Sequence, residues 1–318
     1  MSFWPISTGR LAQVAFVFAL VVAWVCYQPA VTGALQLDDR SNLEGLQHVS
    51  DFDSGLNFAL SGSAGPLGRP IALASFTMQA HSWKSGAADF IRVNILIHLL
   101  NAVLLAFCVM RLSLLLPMSR NRALCNAALV ASAWVLLPLL ATSTLLVVQR
   151  MTTLSATFAL LGLAGYLVAR TRLDDRPRRA LLLMSGSLVA GTLLAALCKE
   201  SGLLLPVFVL SLEATVLQAP GSISKKLWRV WQLVILGVPL LVIIAYLATT
   251  VPYPEALSLR RGFSGGERLL TEAGLLWVYV FKAIIGHPDS LGIFQSPPQV
   301  ERSLLDLPTL AAFVSWLA

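Results

Sequence analysis

The chain has 318 residues, of which 57% are hydrophobic and only 12% charged, with a mean hydropathy of +0.76. These proportions exclude a soluble domain. The formal net charge is +7 and the pI near 9.6, but much of the basic excess sits in short loops between apolar runs, which points to anionic lipid and away from nucleic acid.

A membrane span needs about 20 mostly apolar residues. Candidate runs lie near 11–34, 92–116, 123–143, 152–169, 180–197, 201–218 and 229–250, with more interrupted runs at 270–286 and 305–318. They are continuously rich in Leu, Ala and Val and do not alternate residue by residue, so helices rather than a closed barrel satisfy their backbone. The expected fold is an all-α polytopic membrane protein, a bundle of about seven to nine transmembrane helices. Two long outer loops, about 35–90 and 251–304, belong to the same single domain over 1–318.

The first run ends near Thr32-Gly33-Ala34, small residues that resemble a signal cleavage site, but its apolar core is long and only Arg10 precedes it. It reads as an uncleaved first helix. With the N-terminus cytoplasmic, Arg111, Arg120, Arg122, Arg170, Arg172, Arg176, Arg178, Arg179, Lys225, Lys226 and Arg229 all fall on the cytoplasmic side. Residues 35–90, the Gln149-Arg150 and Lys199-Glu200 junctions and the segment from about 251 onward then face the opposite side.

The first outer loop opens with Leu37-Asp38-Asp39-Arg40-Ser41-Asn42. Two carboxylates at the mouth of a span suit deprotonation of an acceptor or positioning of a charged substrate; they also suit a solvated boundary, or a cap for a short helix after Ser41. Further on, Gly65-Pro66-Leu67-Gly68-Arg69-Pro70 reads as a turn, and Ile71 to Phe76 as a short helix along the membrane surface.

In the second run, Asn94, His98 and Asn101 stand at i, i+4 and i+7, on one helical face that must look inward. Asn101 fits interhelical packing; Asn94 and His98, nearer the outer end, fit packing and a binding site equally. Gln149-Arg150 and Lys199-Glu200 reach the same outer end, where an Arg and a Lys suit a phosphate or pyrophosphate, and where single cations also snorkel. Glu200 reads as an ion-pair partner for Lys199. Cys26, Cys108, Cys125 and Cys198 are scattered through or beside apolar runs and read as free packing residues.

The second long loop carries Arg260, Arg261, Gly265, Gly266, Glu267 and Arg268 before the run 270–286, whose Glu272 and Lys282 leave it either a span or an interfacial helix. The last run, 305–318, has about 14 residues at the chain's end, short for a crossing; a partial helix, or a chain incomplete at its C-terminus, is expected.

Together with Val93 to Ala102, Val148-Gln149-Arg150-Met151-Thr152, Cys198-Lys199-Glu200-Ser201, Gly292-Ile293-Phe294 and Ser303-Leu304-Leu305-Asp306, these motifs resemble bacterial relatives of the transmembrane-and-tetratricopeptide O-mannosyltransferases, within the GT-C glycosyltransferase superfamily. The resemblance runs from near residue 30 to the end. It implies an enzyme of the bacterial inner membrane that moves a sugar from a polyprenyl-phosphate donor to a protein or glycan acceptor on the periplasmic face. It also implies that Asp38 or Asp39 acts as base or positions the acceptor. Arg40, Arg69, Asn94, His98, Gln149, Arg150, Lys199, Glu200 and Arg268 would lie in the substrate region. No metal or other cofactor is assigned.

The chain departs from the family where Leu137 precedes Pro138, a place that often holds His, and in the absence of a Glu between Pro138 and Arg150. No tetratricopeptide repeat follows. The competing expectation is a transporter or flippase of a lipid-linked or anionic solute, which would show two pseudo-symmetric halves with broken spans.

Overall fold

The computed structural model describes residues 7–250, 258–259, 262–286 and 299–317, and among these the regular elements are helical. Two compact units form, one from Met1–Leu136 and Ser143–Leu240, the other from Leu137–Thr142 and Leu241–Ala318.

In the first unit, α1 (Thr8–Tyr27) starts at Ser7, whose hydroxyl accepts the Arg10 N–H at 3.4 Å. Its Val14, Val17, Phe18 and Val21 are exposed, whereas Ala19 and Ala23 are buried against Ala102 and Val135. Small residues thus face protein and large ones face outward, as helices packed in lipid require. The loop that follows is folded: α2 (Asp39–Leu43), α3 (Phe52–Leu60) and α4 (Pro70–Thr77) share a core containing Leu43, Leu46, Phe58, Leu73 and Phe76. The helix expected over 71–76 is α4, and its Ala72, Leu73 and Phe76 are turned into that core.

Next come α5 (Ala88–Leu115), α6 (Arg120–Val135), α7 (Ala141–Leu145), α8 (Arg150–Arg170), α9 (Pro177–Ala196), α10 (Leu205–Thr215), α11 (Lys225–Gln232) and α12 (Val238–Thr250). A π turn at Leu233–Gly237, just ahead of Pro239, joins α11 to α12 without ending the helix. The second unit holds α13 (Gly265–Ile285) and α14 (Leu307–Leu317), with Trp277 stacked on Trp316 at 4.6 Å between ring centroids.

Five helical segments among the described residues are long and apolar enough to cross a membrane, and six if α6 and the helical turns after Pro138 count as one span. The protein is therefore an all-α multi-pass membrane protein. That count is below the seven to nine expected, for local reasons. Pro138 interrupts the run 123–143, because its ring cannot continue a helix. The run 201–218 is not one helix: a 3₁₀ turn, Glu200–Leu204, precedes an α10 of 11 residues. Even so, this stretch travels the length of α8. Lys199 Nζ donates to Thr152 Oγ1 at 2.7 Å near the start of α8, and Arg170 Nη2 at its end donates to the Gln218 carbonyl at 2.7 Å. The run 270–286 forms α13, whose Glu267, Arg268, Glu272 and Lys282 dilute its apolar surface.

The four cysteines are free. At the far end of α8, Arg170 pairs with Glu213 at 2.9 Å, with Tyr166 donating to the same carboxylate and the Trp228 ring 5.2 Å from the guanidinium. Burying that ion pair is tolerable because its lone pairs and protons are met.

The tightest helix contact is between α8 and α9, where a Cβ added to Gly191 would come within 2.6 Å of the Gly162 Cα. We expect Gly191→Ala to cost about 1–3 kcal/mol through forced separation of the two backbones. Thermal unfolding in detergent measures this; an unchanged midpoint would contradict the contact.

Candidate functional site

The site is assembled around the helix interruption before α8, where Val147–Gln149 form a 3₁₀ turn. Asp39 reaches this turn from the first loop. Its carboxylate is fully buried, with Oδ1 accepting the Val148 N–H at 2.7 Å and Oδ2 accepting the Gln36 N–H at 2.9 Å. Asp38, its neighbour, is exposed, and its carbonyl accepts from Asn42 Nδ2 at 2.9 Å and Ser41 Oγ at 3.1 Å. The acidic pair is thus divided: one carboxylate pins the loop, and the other is free to meet a solute. Arg40 is exposed and pairs with no acid among the described residues.

Arg69 and Glu200 meet across 131 positions of sequence. Arg69 Nη2 and Glu200 Oε2 are 3.0 Å apart and Nε and Oε1 3.4 Å, a two-pronged pair whose side chains keep 21% and 24% exposure. Glu200 was expected to pair with Lys199; adjacent residues in an extended-to-3₁₀ transition point apart, and the guanidinium from the loop takes the carboxylate. The turn around Pro66 makes this possible. Gly65 has φ +75°, which strains any residue with a Cβ, and a Cβ there would press on the Glu200 carboxylate and push it from its place beside Arg69. Arg69 itself adopts φ 58° just ahead of Pro70, a costly conformation for a side chain with a Cβ, held by its carboxylate partner and by Nη1 lying 3.5 Å from Met151 Sδ.

Lys199 completes the group. Its ammonium donates to the Thr152 hydroxyl, which donates in turn to Gln149 Oε1 at 2.6 Å. Burial, helped by the nearby Arg69 charge and opposed by Glu200, lowers the Lys199 pKa below that of a free lysine. The half-buried Arg69, Gln149, Lys199 and Glu200 therefore gather at the first turn of α8, and Asp39 holds the acidic loop to the same turn.

Arg150 is placed differently from the expectation of a cation in a wet cavity. It is fully buried, donating from Nε to Asn94 Oδ1 at 2.8 Å, from Nη2 to the Phe90 carbonyl at 3.0 Å and from Nη1 to the Ser75 carbonyl at 3.3 Å. Its guanidinium carbon lies 4.2 Å from the Phe76 ring centroid. The two Phe rings and three acceptors, one for each guanidinium nitrogen, take the place of water around it. Asn94 and His98 are likewise buried. Asn94 Nδ2 donates to the Leu146 and Val147 carbonyls at 3.1 and 3.2 Å, and His98 Nε2 is 3.2 Å from the Val135 carbonyl. Asn101, deeper in the span, donates to the Thr153 carbonyl at 2.8 Å and accepts from Thr157 at 2.7 Å. The inward-facing stripe of α5 is real, and it clamps the turn that carries Gln149.

Arg268 lies in the second unit on α13, where it pairs with Glu272 at 3.4 Å. Arg260, Arg261 and the Gly292-Ile293-Phe294 motif fall outside the described residues. Three participants had roles that the sequence did not signal: Thr152, which bridges Lys199 to Gln149, and Phe76 and Phe90, whose ring centroids lie 4.2 and 5.8 Å from the Arg150 guanidinium carbon. The glycines at 62, 65 and 68, three apart around Pro66, were the available clue to the close approach of Glu200. Among the described residues, no group of three His, Cys, Asp or Glu side chains is arranged to hold a metal ion. Comparison with protein-family models, with curated protein sequences and with solved structures finds no match to this chain.

Proposed function

We propose that this protein is a GT-C-type glycosyltransferase of the bacterial inner membrane, with its N-terminus cytoplasmic and its site periplasmic. It moves a sugar from a polyprenyl-phosphate donor to a hydroxyl of a protein or glycan acceptor. The observation that carries the reading is the bond between Asp39 and the Val148 N–H, because it holds the exposed Asp38 to the turn around which Lys199 and Arg69 gather.

In this reading Asp38 accepts the acceptor's hydroxyl proton as the oxygen forms its bond to the anomeric carbon. The bond from that carbon to the phosphate oxygen breaks, and its electron pair leaves with polyprenyl phosphate. Lys199 and Arg69 offset the charge that grows on the departing oxygen, and a single displacement inverts the anomeric centre. Because the donor is confined to the bilayer, holding both reactants at one helix end supplies much of the rate advantage. Arg150 and Asn94 act through the fold, by fixing the turn, and His98 by meeting the carbonyl at the end of α6.

Membranes from cells with and without the chain, compared by mass spectrometry of surface glycoconjugates, should differ by one sugar on one acceptor class; identical profiles alongside confirmed expression would overturn the proposal. The Lys199 environment adds a pH signature. A lysine with a lowered pKa loses its charge at lower pH than an exposed one, so transfer should decline on the alkaline side as Lys199 deprotonates. Lys199→Arg should move that decline to higher pH. An unmoved alkaline limb would remove Lys199 from the donor site.

A further inference from the structure

The far end of α8 carries a second site of a different kind. A helix of 21 residues at 1.5 Å per residue puts it about 30 Å from the acidic loop. There, between the ends of α8 and α9, Arg172, Asp175, Arg176, Arg179, Ala180 and Leu183 line an open hollow of about 370 Å³. The three arginines are exposed, and none makes a side-chain hydrogen bond or ion pair with a described residue. Their charge is therefore unspent, and the lone carboxylate in the hollow, Asp175, does not neutralise it.

Arg179 and Ala180 stand four and three residues before Leu183 on one face of α9, and Arg176 is the residue that precedes the helix, so the cationic wall continues directly into apolar surface. Ala180 is buried and forms the floor, while Leu183 and its neighbour Leu182 are exposed, 43% and 74%. Arginines that merely flank a span would have no reason to share a concavity with the first apolar turn of the helix. A phosphate carried on an acyl chain fits both halves, the guanidinium forks binding its oxygens and the leucines meeting its hydrocarbon. We propose that this hollow binds the headgroup phosphate of an anionic phospholipid, seated in the leaflet opposite the acidic loop.

The purified full-length chain in detergent can be titrated with fluorescent phosphatidylglycerol, with phosphatidylcholine as the zwitterionic reference and sodium phosphate as competitor. Wild type should bind phosphatidylglycerol saturably, and R172Q/R176Q/R179Q should weaken it about tenfold or more. K225Q/K226Q, which removes charge from α11, should retain binding. If the triple variant does not fold, judged by its thermal midpoint, the single variants R176Q and R179Q are used, each expected to weaken binding measurably. Equal binding of phosphatidylcholine, or undiminished phosphatidylglycerol binding in the folded variants, would overturn the proposal. Displacement of the lipid by inorganic phosphate at comparable concentration would overturn it too, by making free phosphate the ligand.

Discussion

Arg150→Met should destabilise the first unit by about 2–4 kcal/mol, read as a lowered thermal midpoint in detergent, whatever its effect on transfer. Among the described residues the side chain is the largest of the fully buried ones, and its three nitrogens each donate, to Asn94 Oδ1 and to the carbonyls of Ser75 and Phe90. Removing it leaves Asn94 Oδ1 without its donor in a dry setting, where an orphaned acceptor costs about 1–3 kcal/mol. The vacated volume beneath Phe76 and the lost ring contact add to this, while relief of the buried charge offsets part of it. Arg150→Lys should be no milder. An ammonium keeps the charge buried but cannot supply three forked donors or lie flat on a ring. A phosphate ligand at a wet surface predicts the reverse order, with Lys nearly neutral and Met stable but inactive. Coupling with Asn94 offers an internal check: Arg150→Met and Asn94→Leu should be non-additive by roughly 0.5–3 kcal/mol, since the part of the second's cost that comes from stranding Arg150 Nε is absent once the first is made. Additive effects would mean that the two residues do not act as a unit.

The parts of this molecule that could be read from sequence are those where the membrane forces the answer. Asn94, His98 and Asn101 share a face because polar groups in a lipid-exposed stripe are too costly, and the structure buries all three. The long apolar runs of α1, α5, α8, α9 and α12 follow from backbone satisfaction in the same way. Direction within a loop is set by other forces. Asp38 and Asp39 are chemically identical neighbours, and only the N–H groups of Gln36 and Val148 decide which one turns inward. Arg150 had the sequence appearance of a snorkelling cation at a helix end; its burial depends on partners from 56 to 75 positions away, which no local pattern encodes. Glu200 likewise finds Arg69 at long range, through a glycine turn whose need for close approach is visible only once the two segments meet.

That division of the acidic pair sets the second large effect. Asp38→Asn should leave the unfolding midpoint almost unchanged, because the side chain is exposed and its structural bonds run through the main-chain carbonyl. Transfer should nonetheless fall by about 10²–10⁴, the range associated with a general base. Asp39→Asn should behave in the opposite sense. Both carboxylate oxygens accept backbone N–H groups, so the amide nitrogen of Asn must face one of those donors, and the resulting mismatch costs about 1–3 kcal/mol. The loop then detaches from the Val147–Gln149 turn, and transfer declines together with thermal stability. Asp39→Glu is the useful third variant, since it keeps both acceptors but lengthens the tether, and stability should recover only in part. Measuring midpoint and transfer on the same preparations separates the roles. Full transfer in Asp38→Asn would eliminate the proposed base. Loss of transfer in Asp39→Asn without loss of stability would shift the proton-accepting role to the buried member and require the loop to open during turnover.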